Sequence, residues 1–145
     1  MPQVSQVSAV PRSRSAVSIR PFSLLATLTS IAIFCQALTA GQFVSQDGKD
    51  SWITVHGVIA DVSWVMALIT AGYAFKTLRA SRPRMVVWCA TLFVITLAQT
   101  GIGHLITDDG HDWLIGIHVP LAFIIFGLTT WISTKAIRLA RRESP

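Results

Sequence analysis

The stretch that decides the fold is residues 52–64, which read Trp52-Ile53-Thr54-Val55-His56-Gly57-Val58-Ile59-Ala60-Asp61-Val62-Ser63-Trp64. It opens an apolar run that continues to Phe75 and is long enough to cross a bilayer as a helix. Within that run it carries two ionisable side chains, His56 and Asp61. Ionisable groups are costly inside a membrane and usually mark function, so this stretch predicts both a membrane helix and a site.

Three further apolar runs of similar length accompany this one. The four runs cover residues 22–41, 52–75, 85–106 and 113–136, each close to the ~20 residues that a helix needs to cross the hydrocarbon. A helix satisfies its own backbone hydrogen bonds, so four spanning helices are the expected solution. The predicted fold class is all-α, a transmembrane four-helix bundle over residues 22–136. The first run is longer than the core of a signal peptide, and we expect it to remain as a helix.

Charged residues flank these runs. The 145-residue chain is 52% hydrophobic and only 13% charged, which excludes an ordinary soluble domain. The net charge is +5, and the Lys and Arg residues cluster before run 1, between runs 2 and 3, and after run 4. The other two connections are mostly acidic. The positive-inside rule therefore predicts a plasma-membrane protein with both termini cytoplasmic, whose first partner is the lipid bilayer and not a nucleic acid.

The two ends of the chain are polar and basic. Residues 1–21 contain Arg12, Arg14 and Arg20 and no acid, and we expect a disordered cytoplasmic tail there. An organellar transit peptide has the same composition and is the alternative for this segment. Residues 137–145 are predicted to form a second basic cytoplasmic tail.

The chain also contains an internal repeat. The same spaced pattern of glycine, aspartate and histidine occurs twice, and the second copy follows the first by 62 residues (118 − 56). The matched residues are Gly41, Asp47, Gly48, Asp50 and His56 with Gly103, Asp109, Gly110, Asp112 and His118, while Gln36 matches Gln99 at a shift of 63. We therefore predict two parallel-repeat helical hairpins, related by an axis along the membrane normal.

The repeat places a polar layer near the outer face. His56 and His118 each follow an interfacial tryptophan by four or five residues, so they lie roughly 6–8 Å below that interface at 1.5 Å per residue. Gln36 and Gln99 reach the same depth from the other two helices. The outer leaflet is thus predicted to contain one polar residue from each helix.

Two imidazoles at one depth on alternate helices suit the axial ligands of a haem iron. Gly57 and Gly116, which adjoin or nearly adjoin the histidines, would let a large ring approach the backbone. The alternative is that each histidine only hydrogen-bonds a neighbouring helix and stabilises the bundle.

Residues 97–103 (LAQTGIG) and 114–123 (LIGIHVPLAF) resemble one half of the haem A synthase family, and the resemblance extends over residues 22–136. That family has eight helices in two four-helix halves, each with a histidine on its second and fourth helix, and it includes single-half members that assemble as oligomers. The resemblance implies that His56 and His118 are haem ligands and that a homo-oligomer or a larger membrane complex forms. The chain is also similar to small four-helix actinobacterial membrane proteins with a histidine on helices 2 and 4.

Two positions depart from the catalytic half of that family. The family has Glu three residues before its helix-2 histidine and Arg just after it, whereas this chain has Ile53 and Gly57. The outer loops also lack the paired cysteines of many members. We therefore expect no oxidising catalysis. The predicted function is bis-histidine binding of haem b near the outer face, in electron transfer or haem handling.

Two other functions are compatible with the sequence. One is a haem-free accessory subunit of a membrane complex, such as a respiratory complex. The other is a small proton-coupled carrier, in which Asp61 near the bilayer midplane relays protons to the histidine layer. His104 and His111 adjoin an acidic loop whose spacing matches no recognised metal site, so we interpret that loop as solvated.

Overall fold

Four long helices make up the computed structural model, which describes residues 18–45 and 50–143. They are α1 (Arg20–Ser45), α2 (Asp50–Leu78), α3 (Pro83–Thr107) and α4 (Ile115–Arg142), and a 3₁₀ turn at Asp112–Leu114 leads into α4. No strand occurs in the described ranges. All four helices are long and apolar enough to cross a membrane, which confirms the all-α class and the multi-pass prediction.

The helices extend a few residues beyond the apolar runs. α4 continues to Arg142, so residues 137–142 of the predicted basic tail are helical. Leu139 and Ala140 pack against the core, and Arg141 and Arg142 lie in the last turn, where cations interact favourably with the helix dipole. At the other terminus α1 begins at Arg20, inside the predicted tail. The rest of that predicted tail, residues 1–17, lies outside the described residues.

The ends of α3 follow simple backbone rules. Pro83 occupies its first turn, where a missing N–H costs nothing because no helical acceptor is available there. After α3 ends, Gly110 has a φ of 70°, a conformation that glycine adopts at little cost. A turn at Asp109-Gly110 therefore connects α3 to α4, while its repeat counterpart at residues 47–48 lies outside the described ranges.

Each helix packs against two others. α1 contacts α2 and α4, and α3 also contacts α2 and α4, whereas within the described ranges neither α1 and α3 nor α2 and α4 pack directly on each other. The Ile19 amide donates to the Glu143 carboxylate at 3.0 Å and holds the start of α1 on the end of α4. The basic side chains lie at this end, which we call the basic end. Asp50, Asp108, Asp109 and Asp112 lie at the other, the acidic end.

Small and hydroxyl-bearing side chains fill much of the interior. Ala74 and Ala136 are fully buried, and the Thr29 and Thr70 hydroxyls hydrogen-bond each other at 2.9 Å between α1 and α2. Such residues let helices approach closely in a membrane, where lipid tails supply no hydrophobic drive for association. Many large apolar side chains face outward instead, as expected for surfaces in contact with lipid.

The buried positions recur between the two helix pairs. In α1 and α3 the shift is 63 residues (85 − 22), and in α2 and α4 it is 62 (125 − 63). The corresponding sets are Phe22, Ala26, Thr29 and Ile33 with Met85, Cys89, Leu92 and Thr96, and Ser63, Ala67, Thr70 and Ala74 with Ile125, Thr129, Ile132 and Ala136. Each helix thus buries the same face as its counterpart in the other half of the chain.

Candidate functional site

The two histidines lie toward the acidic end of the bundle, outside most of its hydrophobic core. Apart from Leu114, every fully buried hydrophobic residue in the described ranges lies between the level of the histidines and the basic end. At the histidine level itself, His56, His118, Gln36 and Gln99 are all only half-buried. The histidine level is therefore polar and lies outside the main hydrophobic core.

The polar layer is built from two equivalent contacts. The Gln36 side-chain amide donates to the His56 carbonyl at 2.8 Å, and the Gln99 amide donates to the His118 carbonyl at 2.9 Å. The predicted layer thus comes together as two Gln–His pairs, one in each half of the chain. Both glutamine amides donate to main-chain carbonyls. The imidazole nitrogens of His56 and His118 therefore receive no hydrogen bond from these amides.

The imidazole of His56 is held by α1. Its Nδ1 lies 3.0 Å from the Thr39 hydroxyl oxygen, which is itself 3.1 Å and 3.0 Å from the carbonyls of Cys35 and Gln36. Because the two carbonyls can only accept, we infer that the hydroxyl donates to one of them and that its oxygen accepts from Nδ1–H, with the lone pair on Nε2. The Phe43 ring packs edge-on against the imidazole at 5.3 Å. A histidine that ligates a metal is commonly oriented in this way.

His118 has different surroundings. The residue three positions beyond Gln99 is Ile102, which lacks the hydroxyl that Thr39 supplies in the first half. Within the described ranges, the buried side-chain polar atoms that have no hydrogen-bond partner are His118 Nδ1 and Gln99 Oε1. Gly103 lies against the ring, because a Cβ there would be 3.3 Å from His118 Cε1. Buried polar atoms of this kind are normally satisfied by a water or a bound group.

The two histidines lie on helices that are diagonally opposed in the bundle. His56 and His118 interact electrostatically across the bundle, although α2 and α4 do not pack directly on each other. A Cβ at Gly57 or at Gly116 would meet no neighbouring atom within 4 Å, so space is open beside both histidines. Gly57 is half-buried and Gly116 is exposed. Gly103 contacts the His118 imidazole, whereas the approach of a large ring to Gly57 and Gly116 stays a prediction.

The structure does not bring Asp61 to this layer. Asp61 is exposed, and its carboxylate accepts a hydrogen bond from the Trp64 indole of the same helix at 3.1 Å. The hydroxyls of Ser63 and Thr96 donate to carbonyls of their own helices and do not bond Asp61. Five residues along a helix correspond to a rotation of about 140°, so Asp61 faces away from the direction of His56.

The acidic loop forms one exposed ion pair. His104 Nδ1 lies 3.2 Å from the Asp108 carboxylate, and the two side chains are 54% and 65% exposed. No group of three or more metal-ligating side chains occurs in the part of the chain that the structure describes. The donor atoms of the histidine layer are therefore two imidazoles without a third protein ligand.

Three residues of the site were absent from the sequence prediction: Thr39, Phe43 and Gly103. Gly103 was available as the repeat partner of Gly41, and Thr39 follows Gln36 at the helical spacing of three residues. The prediction relied on residues that the two halves share. It therefore overlooked the positions at which the halves differ, and Thr39 and Phe43 are of that kind.

No protein-family model, curated protein sequence or solved structure matches this chain. The resemblance to haem A synthase therefore rests on the residues quoted above, and a functional proposal has to be made from the geometry of the histidine layer.

Proposed function

We propose that this chain is a multi-pass membrane protein that binds one b-type haem through His56 and His118, in electron transfer or haem handling. The observation that supports it best is the presence of two half-buried histidines at equivalent positions of α2 and α4, outside the main hydrophobic core. Each is anchored through its own carbonyl by an equivalent glutamine, which leaves the ring free to ligate.

The donor set fits a haem better than an isolated metal ion. A protein-bound zinc ion takes four ligands, of which at least three usually come from the protein. A haem brings its own four nitrogens and needs only two axial ligands, and two imidazoles are what this interior offers. The haem would supply one-electron chemistry.

The residues of the chain would hold and tune that group. Thr39 orients His56 so that Nε2 points its lone pair away from α1, and Gly103 lets the His118 ring lie close to α3. Phe43 shields one side of His56. No carboxylate or guanidinium occupies position 53 or 57, where Ile53 and Gly57 lie, so we do not propose oxidising catalysis.

The proposal also includes the relation between the two hairpins and their orientation in the membrane. The recurring burial register supports two parallel-repeat hairpins, and the separation of charge supports a cytoplasmic basic end in the plasma membrane. The haem would then lie near the outer face. A homo-oligomer or a larger membrane complex is proposed from the family resemblance, in which two such halves form one protein.

Optical spectroscopy of detergent-purified protein tests the haem. Protein from haem-replete cells should show a Soret band and sharp α and β bands on reduction, since bis-histidine haem is low-spin. His56→Ala and His118→Ala should each remove most of this absorbance. His104→Ala is the matched control, because His104 is exposed and outside the layer, and its spectrum should equal that of the parent chain. A folded but colourless protein would refute haem binding and favour the haem-free accessory role.

A further inference from the structure

A groove runs along the outward face of α4 near the basic end. It is lined by Gly127, Thr130, Trp131, Thr134, Lys135 and Arg138. These positions recur every three or four residues, so they form one stripe, about 16 Å long at 1.5 Å per residue. The stripe starts at a glycine inside the apolar span and ends at two cationic side chains.

The walls of the groove are held in place by neighbouring contacts. Trp131 packs edge-to-face on Trp88 of α3 at 5.6 Å, and the Lys135 ammonium lies 5.9 Å from the centre of the Trp131 ring. The Thr134 hydroxyl donates to the Thr130 carbonyl at 2.8 Å. At Gly127 a Cβ would meet nothing within 4 Å, so the apolar end of the groove is open to a ligand.

The cations of the groove have no carboxylate partner in the described part of the chain. Within those ranges the one ion pair is His104–Asp108 at the opposite end, and Glu143 accepts from the Ile19 amide. The repeat does not duplicate the groove either. The positions 62 residues earlier are Val65, Leu68, Ile69, Gly72, Tyr73 and Lys76, which retain a single cation. The stripe is therefore a feature of the second half alone.

We propose that this groove binds an anionic phospholipid, with its phosphate between Lys135 and Arg138 and one acyl chain along Trp131 toward Gly127. Cations near a membrane surface attract anionic headgroups, and indole rings prefer the interface, so the order of residues along α4 matches the order of groups in the lipid. A zwitterionic lipid carries a positive ammonium group beside its phosphate. Its headgroup is therefore attracted less strongly by the Lys135 and Arg138 side chains. The proposal is independent of haem binding.

Native mass spectrometry of the delipidated full-length chain tests this directly. The protein is titrated with phosphatidylglycerol, phosphatidylcholine and inorganic phosphate in separate experiments. We expect phosphatidylglycerol to bind about tenfold or more tightly than phosphatidylcholine, and Lys135→Gln/Arg138→Gln to remove about tenfold or more of that affinity. Gly127→Leu, whose Cβ meets no neighbouring atom within 4 Å, should occupy the apolar end and weaken phosphatidylglycerol binding as well.

Arg141→Gln/Arg142→Gln is the matched control, since it removes the same charge from the same helix end outside the groove. It should change the affinity for phosphatidylglycerol less than about threefold. An equal loss in both double variants would mean general attraction to the basic end and would overturn the proposal. Equal affinity for the two lipids would overturn it too. A third outcome is that inorganic phosphate binds as tightly as phosphatidylglycerol and loses the same affinity in Lys135→Gln/Arg138→Gln. That result would show a site for a free anion and would overturn the lipid proposal.

Discussion

At the scale of single residues, the two histidines are not equivalent even though the chain repeats them. His56 has a defined tautomer because the Thr39 hydroxyl accepts from its Nδ1–H, whereas His118 Nδ1 is buried without a partner. The cause is a single difference between the halves, Thr39 against Ile102. In a bis-histidine haem site the first ligand would therefore be held rigidly by the protein, and the second would rely on a water or on the haem itself for its orientation.

Thr39→Val should weaken haem binding without removing either ligand. Loss of the hydroxyl leaves His56 Nδ1 without its acceptor, and changes to such orienting groups typically cost 10–100-fold in metal affinity. Thr39→Ser keeps the hydroxyl and should restore affinity to within a few-fold of the parent chain. The measurements are haem titration of apoprotein and the reduction potential. Thr100→Val is the control, because the Thr100 hydroxyl donates to the Thr96 carbonyl and not to a histidine. Equal effects of Thr39→Val and Thr100→Val would contradict a positioning role for Thr39.

At the scale of helices, close approach depends on small residues at recurring positions. Ala74 in α2 and Ala136 in α4 are both fully buried and are 62 residues apart (136 − 74). Hydroxyl groups of Thr29 and Thr70 add a hydrogen bond between α1 and α2. Interhelical hydrogen bonds in membranes average only about 0.6 kcal/mol, so close packing at the alanines is expected to contribute at least as much to the stability of the bundle.

Ala74→Leu and Ala136→Leu should each destabilise the folded bundle. Extra methylene groups in a filled helix interface force the helices apart, and overpacking of this kind costs about 1–3 kcal/mol. Unfolding in mixed micelles, followed by circular dichroism against the fraction of denaturing detergent, measures this cost. Ala98→Leu is the matched control, because Ala98 is exposed on the outer surface of α3, and it should stay within about 0.5 kcal/mol. Destabilisation by Ala98→Leu as large as that by Ala74→Leu would mean that the buried faces are assigned incorrectly.

At the scale of the whole molecule, packing and charge are distributed unequally between the two ends. The basic end contains nearly all of the fully buried hydrophobic core, and the acidic end contains the half-buried histidine layer. Because most of the buried core lies away from the acidic end, a group bound at the histidine layer would not displace that core. Under the proposed topology, that end faces out of the cell.

Cysteine labelling in intact cells tests this topology. In a background with Cys35→Ser and Cys89→Ser, Asp109→Cys should react with a membrane-impermeant maleimide, since Asp109 lies in the loop at the acidic end. Ser81→Cys, in the loop between α2 and α3, should react only after permeabilisation, because the basic loop is expected to be cytoplasmic. The reverse labelling pattern would contradict the assignment of the basic end to the cytoplasm.

The sequence by itself determined the four apolar helices, the separation of charge and the repeated glutamine and histidine positions. Each of these depends on local composition, length or spacing, which do not require knowledge of neighbouring helices. The tertiary structure alone decided that the glutamines bond histidine carbonyls, that Thr39 holds the ring of His56, and that Asp61 faces outward. These outcomes depend on the rotation of each helix about its axis. That rotation is set by the packing of all four helices together, and chiefly by the small residues buried near the basic end.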